Sequence, residues 1–211
     1  MDFTKISLVL FLCLLGPCRG DGNPRDGGSV KSIVTPDFFN NIINQAGKGC
    51  TVKKFYTRNS FIYAANTFPN FANSVTRREI ATMFAHVTHE TGHLCYIEET
   101  KKRSRGRCDE NVEQRPCPSK GHFSRGLSLN LDLLRQPELV GSNPTIAFSK
   151  GLLFWVNSVR PVLNEGFGAT IKAINGMECK GGNPGAVNAR IGYYRDYCRQ
   201  LGVDPGPNLR C

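Results

Sequence analysis

Cysteines constrain the fold of this chain more than any other feature of its sequence. Nine of them occur in 211 residues, and the apolar run Ile6–Leu15, preceded by Lys5, lies at the N-terminus. Residues 1–20 are therefore predicted to be a secretory signal peptide, because the run is too short to anchor a chain in a membrane. In an oxidising compartment the cysteines are expected to form disulfides before they serve as metal or redox ligands.

The predicted organisation has three parts. Residues 1–20 are the signal peptide, residues 21–33 are rich in Gly, Pro and Asp and predict a flexible hinge, and residues 34–211 form one domain. Removal of the signal peptide leaves seven cysteines, so an odd thiol must remain outside the disulfides. The spacing by itself leaves the connectivity open.

The net charge of the chain is +10, and residues 1–20 contribute only a small part of it. The mature protein is therefore expected to be basic, which favours acidic polymers as partners. The densest basic run, Lys101–Arg107, has two interpretations: it is a solvated loop, or it binds an anionic polymer. Nucleic acid is not an expected partner, because the chain is secreted and contains no recognisable nucleic-acid-binding module. No further stretch is apolar enough to cross a membrane, so the mature form is expected to have no membrane anchor.

Helix signals follow one another along the chain, and strand signals hardly appear. Capping residues followed by proline predict helix starts after Thr35, Asn143 and Asn183. A capping box at Thr76–Glu79 opens the strongest periodic pattern. The predicted fold class is mainly α, with loops held by disulfides. The apolar positions of that strongest pattern are Ile80, Met83, Phe84 and Val87.

Two further helices are predicted from the same signals. A helix over Phe61–Phe68 is expected to end at Pro69, and a short helix over 169–175 is expected to end at Gly176. The last helix carries an apolar stripe and ends at Gly202. Cys198 lies on that stripe, where cysteine behaves as a small hydrophobic residue, so we predict that Cys198 is the thiol outside the disulfides.

The pattern His89-Glu90-x-x-His93 matches the helix motif of zinc metalloproteases, in which two histidines bind zinc and the glutamate is the base. Three features oppose this interpretation. Gly92 is expected to end the helix, no third ligand follows at a recognisable spacing, and both histidines are predicted to face away from the apolar stripe. We therefore predict no metal site.

Glu90 is the stronger candidate for chemistry. On a helical wheel it falls at the edge of the apolar stripe, in the last turn before Gly92. An edge position is where a helix borders a cleft, which suits a general acid. From these residues alone, a surface glutamate at a helix end remains the alternative.

The segments Phe84–His93 and Cys95–Glu99 resemble the active-site region of plant class IV chitinases, which belong to family 19 of the glycoside hydrolases. The likeness extends from about Val30 to Cys211. It includes Phe55–Thr57 and the ordered matches between Gly166 and Leu209. The resemblance implies a lysozyme-like, mainly helical domain with a central cleft.

The resemblance also implies a function, that of a secreted endochitinase which cleaves β-1,4-linked N-acetylglucosamine polymers with inversion. Inversion needs one carboxylic acid and a second carboxylate that activates a water. Position by position, the acid falls on Glu90 and the base on Glu99, with Glu98 as the less favoured neighbour. The expected substrate is chitin or chito-oligosaccharides, without a cofactor. The expected form is a monomer outside the cell, in the cell wall or in the vacuole, serving defence or cell-wall polysaccharide catabolism.

The family pattern assigns further residues. It places sugar-binding or supporting contacts at His89, Asn175, Glu178 and Arg190. It implies the disulfides Cys50–Cys95, Cys108–Cys117 and Cys179–Cys211, which agrees with the prediction that Cys198 remains a thiol.

The chain departs from the family at two places. The hevein-type chitin-binding module expected before the hinge is absent. After Lys120–Gly126 the chain continues directly at Leu127–Leu134, where the family has a longer segment that lines the cleft before a helix resembling Leu131–Leu134. Two interpretations follow, an active endochitinase and a catalytically impaired chitinase-like binding protein.

Overall fold

The computed structural model describes residues 27–50, 52–97, 127–128, 131–133, 136 and 138–211. This part of the chain is mainly α, which confirms the predicted fold class. The helices are α1 (Val30–Ile33), α2 (Pro36–Asn44), α3 (Arg58–Asn66), α4 (Pro69–Ala72), α5 (Arg77–Thr91), α6 (Glu138–Ser142), α7 (Pro144–Phe154), α8 (Phe167–Asn175) and α9 (Pro184–Leu201). Two short strands, β1 (Leu127–Ser128) and β2 (Leu131–Asp132), pair antiparallel, with Leu127 opposite Asp132 and Ser128 opposite Leu131.

The helix starts lie where the capping residues predict them. The Thr35 hydroxyl accepts a hydrogen bond from the Phe38 amide at 3.1 Å, and Asn143 and Asn183 cap α7 and α9 in the same way. At the other ends, glycines close α5 and α9 in the left-handed conformation, as the sequence predicts. Local capping chemistry therefore accounts for most helix boundaries.

Two local predictions are corrected. Pro69 begins the short helix α4 after α3 has ended at Asn66, because proline fits the first helical position. Leu131–Asp132 forms strand β2 in place of the implied helix, since its backbone pairs with β1. After α7 the chain continues as a π-helical turn, Trp155–Val159, and a 3-10 helix, Arg160–Glu165.

Helix α5 is more deeply buried than its apolar stripe predicts. Every residue from Glu79 to His86 is buried, and so is Thr88. On one side, Phe84 packs edge-to-face against Phe38 and Phe61 of α2 and α3, with ring centroids 5.5 and 5.0 Å apart. Helix α9 packs against another side, so polar residues of α5 also enter the core.

Glu79 shows how one of these buried polar groups is accommodated. Its Oε1 accepts a hydrogen bond from the Trp155 indole at 3.0 Å and lies 3.1 Å from Nε of Arg160. Burial raises the pKa of Glu79, while the contacts with Trp155 and Arg160 and the capping bond from the Thr76 amide oppose that rise. Glu79 therefore serves the capping box and also joins α5 to the π-helical turn.

The pairings Cys50–Cys95 and Cys179–Cys211 are confirmed, with Cα–Cα distances of 5.6 and 5.2 Å. Cys198 is buried in the core outside both bridges, as the apolar stripe of α9 predicts. The pair Cys108–Cys117 lies outside the described residues.

Residues 1–26, with the predicted signal peptide and most of the hinge, also lie outside the described part. Residues 30–33 form α1, and Val30 and Ile33 contribute to the core, so the folded domain already includes residues assigned to the hinge. None of the helices in the described ranges is both long and apolar enough to cross a membrane.

The C-terminal segment docks onto α8 through a close backbone approach. The Gly168 amide donates to the Asn208 carbonyl at 2.8 Å, and a Cβ atom on Gly168 would lie 2.0 Å from the Arg210 carbonyl oxygen. Only glycine permits this contact, which leads the chain to the Cys179–Cys211 disulfide.

We predict opposite effects for two glycine substitutions. Gly168→Ala should lower the free energy of unfolding by about 1–3 kcal/mol, because the new methyl group clashes with rigid backbone. Gly192→Ala lies on the exposed face of α9, and apart from the adjacent residues and the local helix backbone no atom lies within 4 Å of the added Cβ. This substitution should raise the free energy of unfolding by about 0.5–1 kcal/mol through helix propensity. Urea unfolding of both variants measures the difference, and equal effects would contradict the proposed backbone contact.

Candidate functional site

A buried guanidinium shared by two carboxylates forms the centre of the candidate site. The Arg190 side chain is 0% exposed. Its Nε donates to Oε2 of Glu178 at 2.8 Å, and its Nη2 donates to Oε1 of Glu178 at 2.9 Å. Nη2 also donates to Oε1 of Glu90. The guanidinium thus binds Glu178 through two hydrogen bonds and contacts Glu90 through a third.

Three segments bring these groups together. Glu90 lies in the last turn of α5, Glu178 ends the 3-10 turn Gly176–Glu178 that follows α8, and Arg190 lies near the start of α9. The Asn183 amide donates to the Glu178 carbonyl at 3.0 Å, and the Asn183 side chain caps α9. The start of α9 is therefore held next to Glu178, the residue that Arg190 of the same helix binds.

His89 and Asn175 surround the same carboxylate. The Asn175 amide donates to Oε1 of Glu178 at 2.9 Å. Nε2 of His89 lies 4.0 Å from the same oxygen. The structure thus gathers every predicted site residue that it describes, although their roles in binding and catalysis stay predictions. Glu98 and Glu99 lie outside the described residues.

The charges in this cluster support one another. Burial disfavours the charge on Arg190, but hydrogen bonds and charges of Glu178 and Glu90 outweigh it and raise the arginine pKa. Burial likewise acts to raise the pKa of Glu178, yet Arg190, His89 and Asn175 lower it overall. Burial, followed by the positive charge of Arg190, lowers the pKa of His89. Glu178 is therefore an anion that balances Arg190.

Glu90 lies at the border of the core, as the helical wheel predicts. Its side chain is 50% exposed, whereas the Arg190 side chain that it contacts is fully buried. The carboxyl group is consequently oriented from the protein side and accessible from the solvent side. A carboxyl in this position can exchange a proton with a bound molecule.

Sequence analysis missed two residues of this cluster, His86 and Thr170. Nδ1 of His86 lies 3.2 Å from Nη1 of Arg190, and Nε2 lies 2.8 Å from the Thr170 hydroxyl. Burial, then the charges of Arg190 and His89, lower the His86 pKa well below its ordinary value. The helical spacing of His86, which places it one turn before Glu90, was the available sequence signal. No sequence signal pointed to Thr170.

The backbone turns sharply after Glu90. Gly92, His93 and Leu94 all have left-handed φ values, of 57°, 65° and 60°. Two of the three carry a Cβ, and such residues cost about 1–3 kcal/mol each. Leu94 is fully buried, and Cys95 next to it forms the bridge to Cys50. The core and the disulfide together hold this turn, which directs the chain away from α5.

The structure gives no support to the metalloprotease interpretation. Helix α5 ends at Thr91, so His93 lies beyond the helix and does not share a helical face with His89. Within the part of the chain that the structure describes, no group of three or more His, Cys, Asp or Glu side chains could hold a metal ion.

Comparison with known proteins adds independent information. A family model described as Chitinase class I matches residues 33–165 and 161–211. A basic endochitinase of Brassica napus is 70% identical over 268 aligned positions, and an endochitinase of Arabidopsis thaliana is 62% identical over 265, each covering 100% of both chains. Both alignments are longer than this chain of 211 residues, so these relatives contain segments that it lacks.

Solved structures show the same likeness. The crystal structure of a family GH19, class IV chitinase from Zea mays matches with a TM-score of 0.76 and 46% identity, covering 86% of this chain and 98% of that one. Chitinase C from Streptomyces griseus matches with a TM-score of 0.72 and 30% identity, covering 85% and 80%.

We predict that Glu178 stabilises the fold in a pH-dependent manner. Its folded-state pKa is lowered from the ordinary 4.5, so the stabilisation is complete above that value and is lost as the pH falls through the lowered pKa. At pH 7, Glu178→Gln should cost about 3–5 kcal/mol, because Arg190 keeps a buried charge without its main partner. Urea unfolding at pH 7 and at about pH 3 should show the gap between wild type and variant narrowing in acid.

The matched control is Glu165→Gln, at an exposed glutamate outside the cluster. This variant should unfold like the wild type at both pH values. A Glu178→Gln variant as stable as the control at pH 7 would contradict the assigned ion pair.

Proposed function

Because the chain belongs to family 19 of the glycoside hydrolases and is an endochitinase by that membership, we propose that it cleaves β-1,4-linked N-acetylglucosamine polymers with inversion at the anomeric carbon. Glu90 is the proposed general acid and Glu99 the proposed general base. The observation that carries the proposal is a half-exposed carboxyl, Glu90, held at the end of α5 by the buried Arg190.

In the proposed reaction, Glu90 gives its proton to the glycosidic oxygen as the bond from that oxygen to the anomeric carbon breaks. A water attacks the opposite face of the sugar, and Glu99 accepts a proton from that water. The electron pair of the broken bond stays on the leaving oxygen, which the proton from Glu90 converts to a hydroxyl. Both carboxyl groups return to their starting forms by exchange with solvent.

Glu178 balances the charge of Arg190 beside the proposed acid, because the lowered pKa of Glu178 keeps that carboxylate ionised. The Glu90 carboxyl contacts the same Arg190 guanidinium, which holds the carboxyl in one orientation. Glu178 and Arg190 are thus proposed to support proton transfer without taking part in it.

Substrate contacts are proposed for residues around this acid. Asn175 and His89 both lie near Oε1 of Glu178, the oxygen that accepts from the same Nη2 of Arg190 that contacts Glu90. Their amide and imidazole groups suit the hydroxyl and acetamido groups of chitin or chito-oligosaccharides. We propose that the protein acts as a monomer without a cofactor, in defence or in the catabolism of cell-wall polysaccharides.

We also propose that the protein is secreted to the cell wall or extracellular space, or delivered to the vacuole. The disulfides Cys50–Cys95 and Cys179–Cys211 support this, because such bridges persist in oxidising compartments. On expression in plant cells, N-terminal sequencing of the mature protein should give a chain that begins at Asp21. A mature protein that retains Met1–Gly20 would overturn the proposed signal peptide.

A catalytically impaired binding protein is the second candidate. The relatives' alignments are longer than this chain, and the sequence places one shortened segment after Gly126. That segment lies largely outside the described residues. The experiment on Glu90 separates the two candidates, because an impaired protein would bind a chitin hexamer yet turn it over no faster than its Glu90 variant.

The decisive variant is Glu90→Gln, which removes the proposed acid while keeping the size of the side chain. Its kcat on a chitin hexamer should fall by about 10²–10⁴-fold, with KM changing far less. Glu165→Gln, at an exposed glutamate, is the control and should match the wild type. Proton NMR of the first products should show the α-anomer, because inversion of a β-linkage yields it. A β-anomer, or an unchanged kcat in Glu90→Gln, would refute the mechanism.

A further inference from the structure

We propose that His86 is a positioning residue of the active site, which acts by fixing the guanidinium of Arg190 and through it Glu90. Neutral His86 is in turn anchored by Thr170. The catalytic part of this inference rests on the proposed function, whereas the structural part does not. His86 and Thr170 contact no substrate in this proposal, and their effect reaches the reaction only through Arg190.

The hydrogen bonds around Thr170 determine which nitrogen of His86 carries the proton. The Thr170 hydroxyl donates its single hydrogen to the Phe167 carbonyl at 2.7 Å. It must therefore accept from Nε2 of His86, which lies 2.8 Å away. Nδ1 of His86 is then the unprotonated nitrogen. It accepts from Nη1 of Arg190 at 3.2 Å. These hydrogen bonds form a series in which Arg190 donates to His86, His86 donates to Thr170, and Thr170 donates to the backbone of α8.

Ring stacking fixes the orientation of the His86 imidazole plane. The His86 ring stacks on Phe167 with centroids 4.9 Å apart and planes at 8°, and Phe167 stacks on Tyr194 at 4.1 Å and 1°. The Tyr194 hydroxyl donates to the Pro205 carbonyl at 2.8 Å. The ring of His86 thus has its orientation set by α8, α9 and the C-terminal segment.

His86 adds a fourth contact to the Arg190 guanidinium, at a nitrogen that neither carboxylate is seen to bind in the described part of the chain. Nε and Nη2 of Arg190 donate to Glu178 and Glu90, and His86 is the acceptor that faces Nη1. A buried donor without an acceptor is costly, so the guanidinium would shift if His86 lost its lone pair. Such a shift moves the group that holds Glu90, and small displacements of a catalytic group reduce the rate strongly.

Matched substitutions at His86 separate positioning from packing. His86→Met fills the space but offers neither nitrogen, and kcat should fall by about 10²-fold while KM changes much less. His86→Gln offers an amide oxygen to Arg190 and an amide N–H to Thr170, so it should recover most of the loss.

A second pair of substitutions changes Thr170 and leaves His86 in place. This pair tests the inference even if His86→Met does not fold. Thr170→Val keeps the shape of threonine but removes the acceptor for Nε2. It should lower kcat by about three- to tenfold, the value of one hydrogen bond. Thr170→Ser retains the hydroxyl and should be closer to the wild type than Thr170→Val.

A readout without catalysis distinguishes failure of this inference from failure of the proposed function. In ¹H–¹⁵N spectra, the guanidinium N–H signals of Arg190 should be sharp and slow to exchange in wild type and His86→Gln. They should broaden or disappear in His86→Met and Thr170→Val. If this pattern appears in a protein that hydrolyses no chitin, the positioning inference stands and the proposed function fails. If folded Thr170→Val or His86→Met keeps both the wild-type spectrum and kcat within twofold, the inference is overturned.

Discussion

The burial of Arg190 is the interaction on which the rest of the site depends. Removal of a guanidinium from water costs several kcal/mol, and this is offset only where its donors meet well-placed acceptors. Those acceptors come from α5 and from the turn after α8, while Arg190 itself belongs to α9. A small shift of any one segment would leave a buried charge without a partner. The cluster therefore fixes the register of three helices and places Glu90 as a consequence.

The disulfides and the backbone turns reinforce the cluster at its two ends. Cys179 follows Glu178 directly, and its bridge to Cys211 holds the C-terminal segment that lies against Gly168. The bridge between Cys50 and Cys95 closes the left-handed turn that follows Glu90. One bridge thus begins at the residue after Glu178, and the other begins five residues after Glu90. The strained turn after α5 persists because the core and a covalent bond both constrain it.

Sequence reasoning was most successful where structure depends on neighbouring residues. Thr35, Thr76, Asn143 and Asn183 cap helices through bonds that span two or three residues, so the sequence reveals them. The family resemblance assigns His89, Asn175, Glu178 and Arg190 to the site, but it does not assign His86 or Thr170. The contact of His86 with Thr170 joins residues 84 positions apart and has no periodic signature. The deep burial of α5 was also underestimated, because a stripe analysis assumes that a helix has one solvent face.

Within the described part of the chain, the contacts that orient Glu90 come from α5, from the turn after α8 and from α9, and none of these segments lies within residues 120–134. The contacts that hold the proposed acid, Glu90, are therefore present in a chain whose segment after Gly126 is shortened. The resemblance to the family implies that this segment lines the cleft, so the shortening is expected to affect sugar binding more than the placement of Glu90.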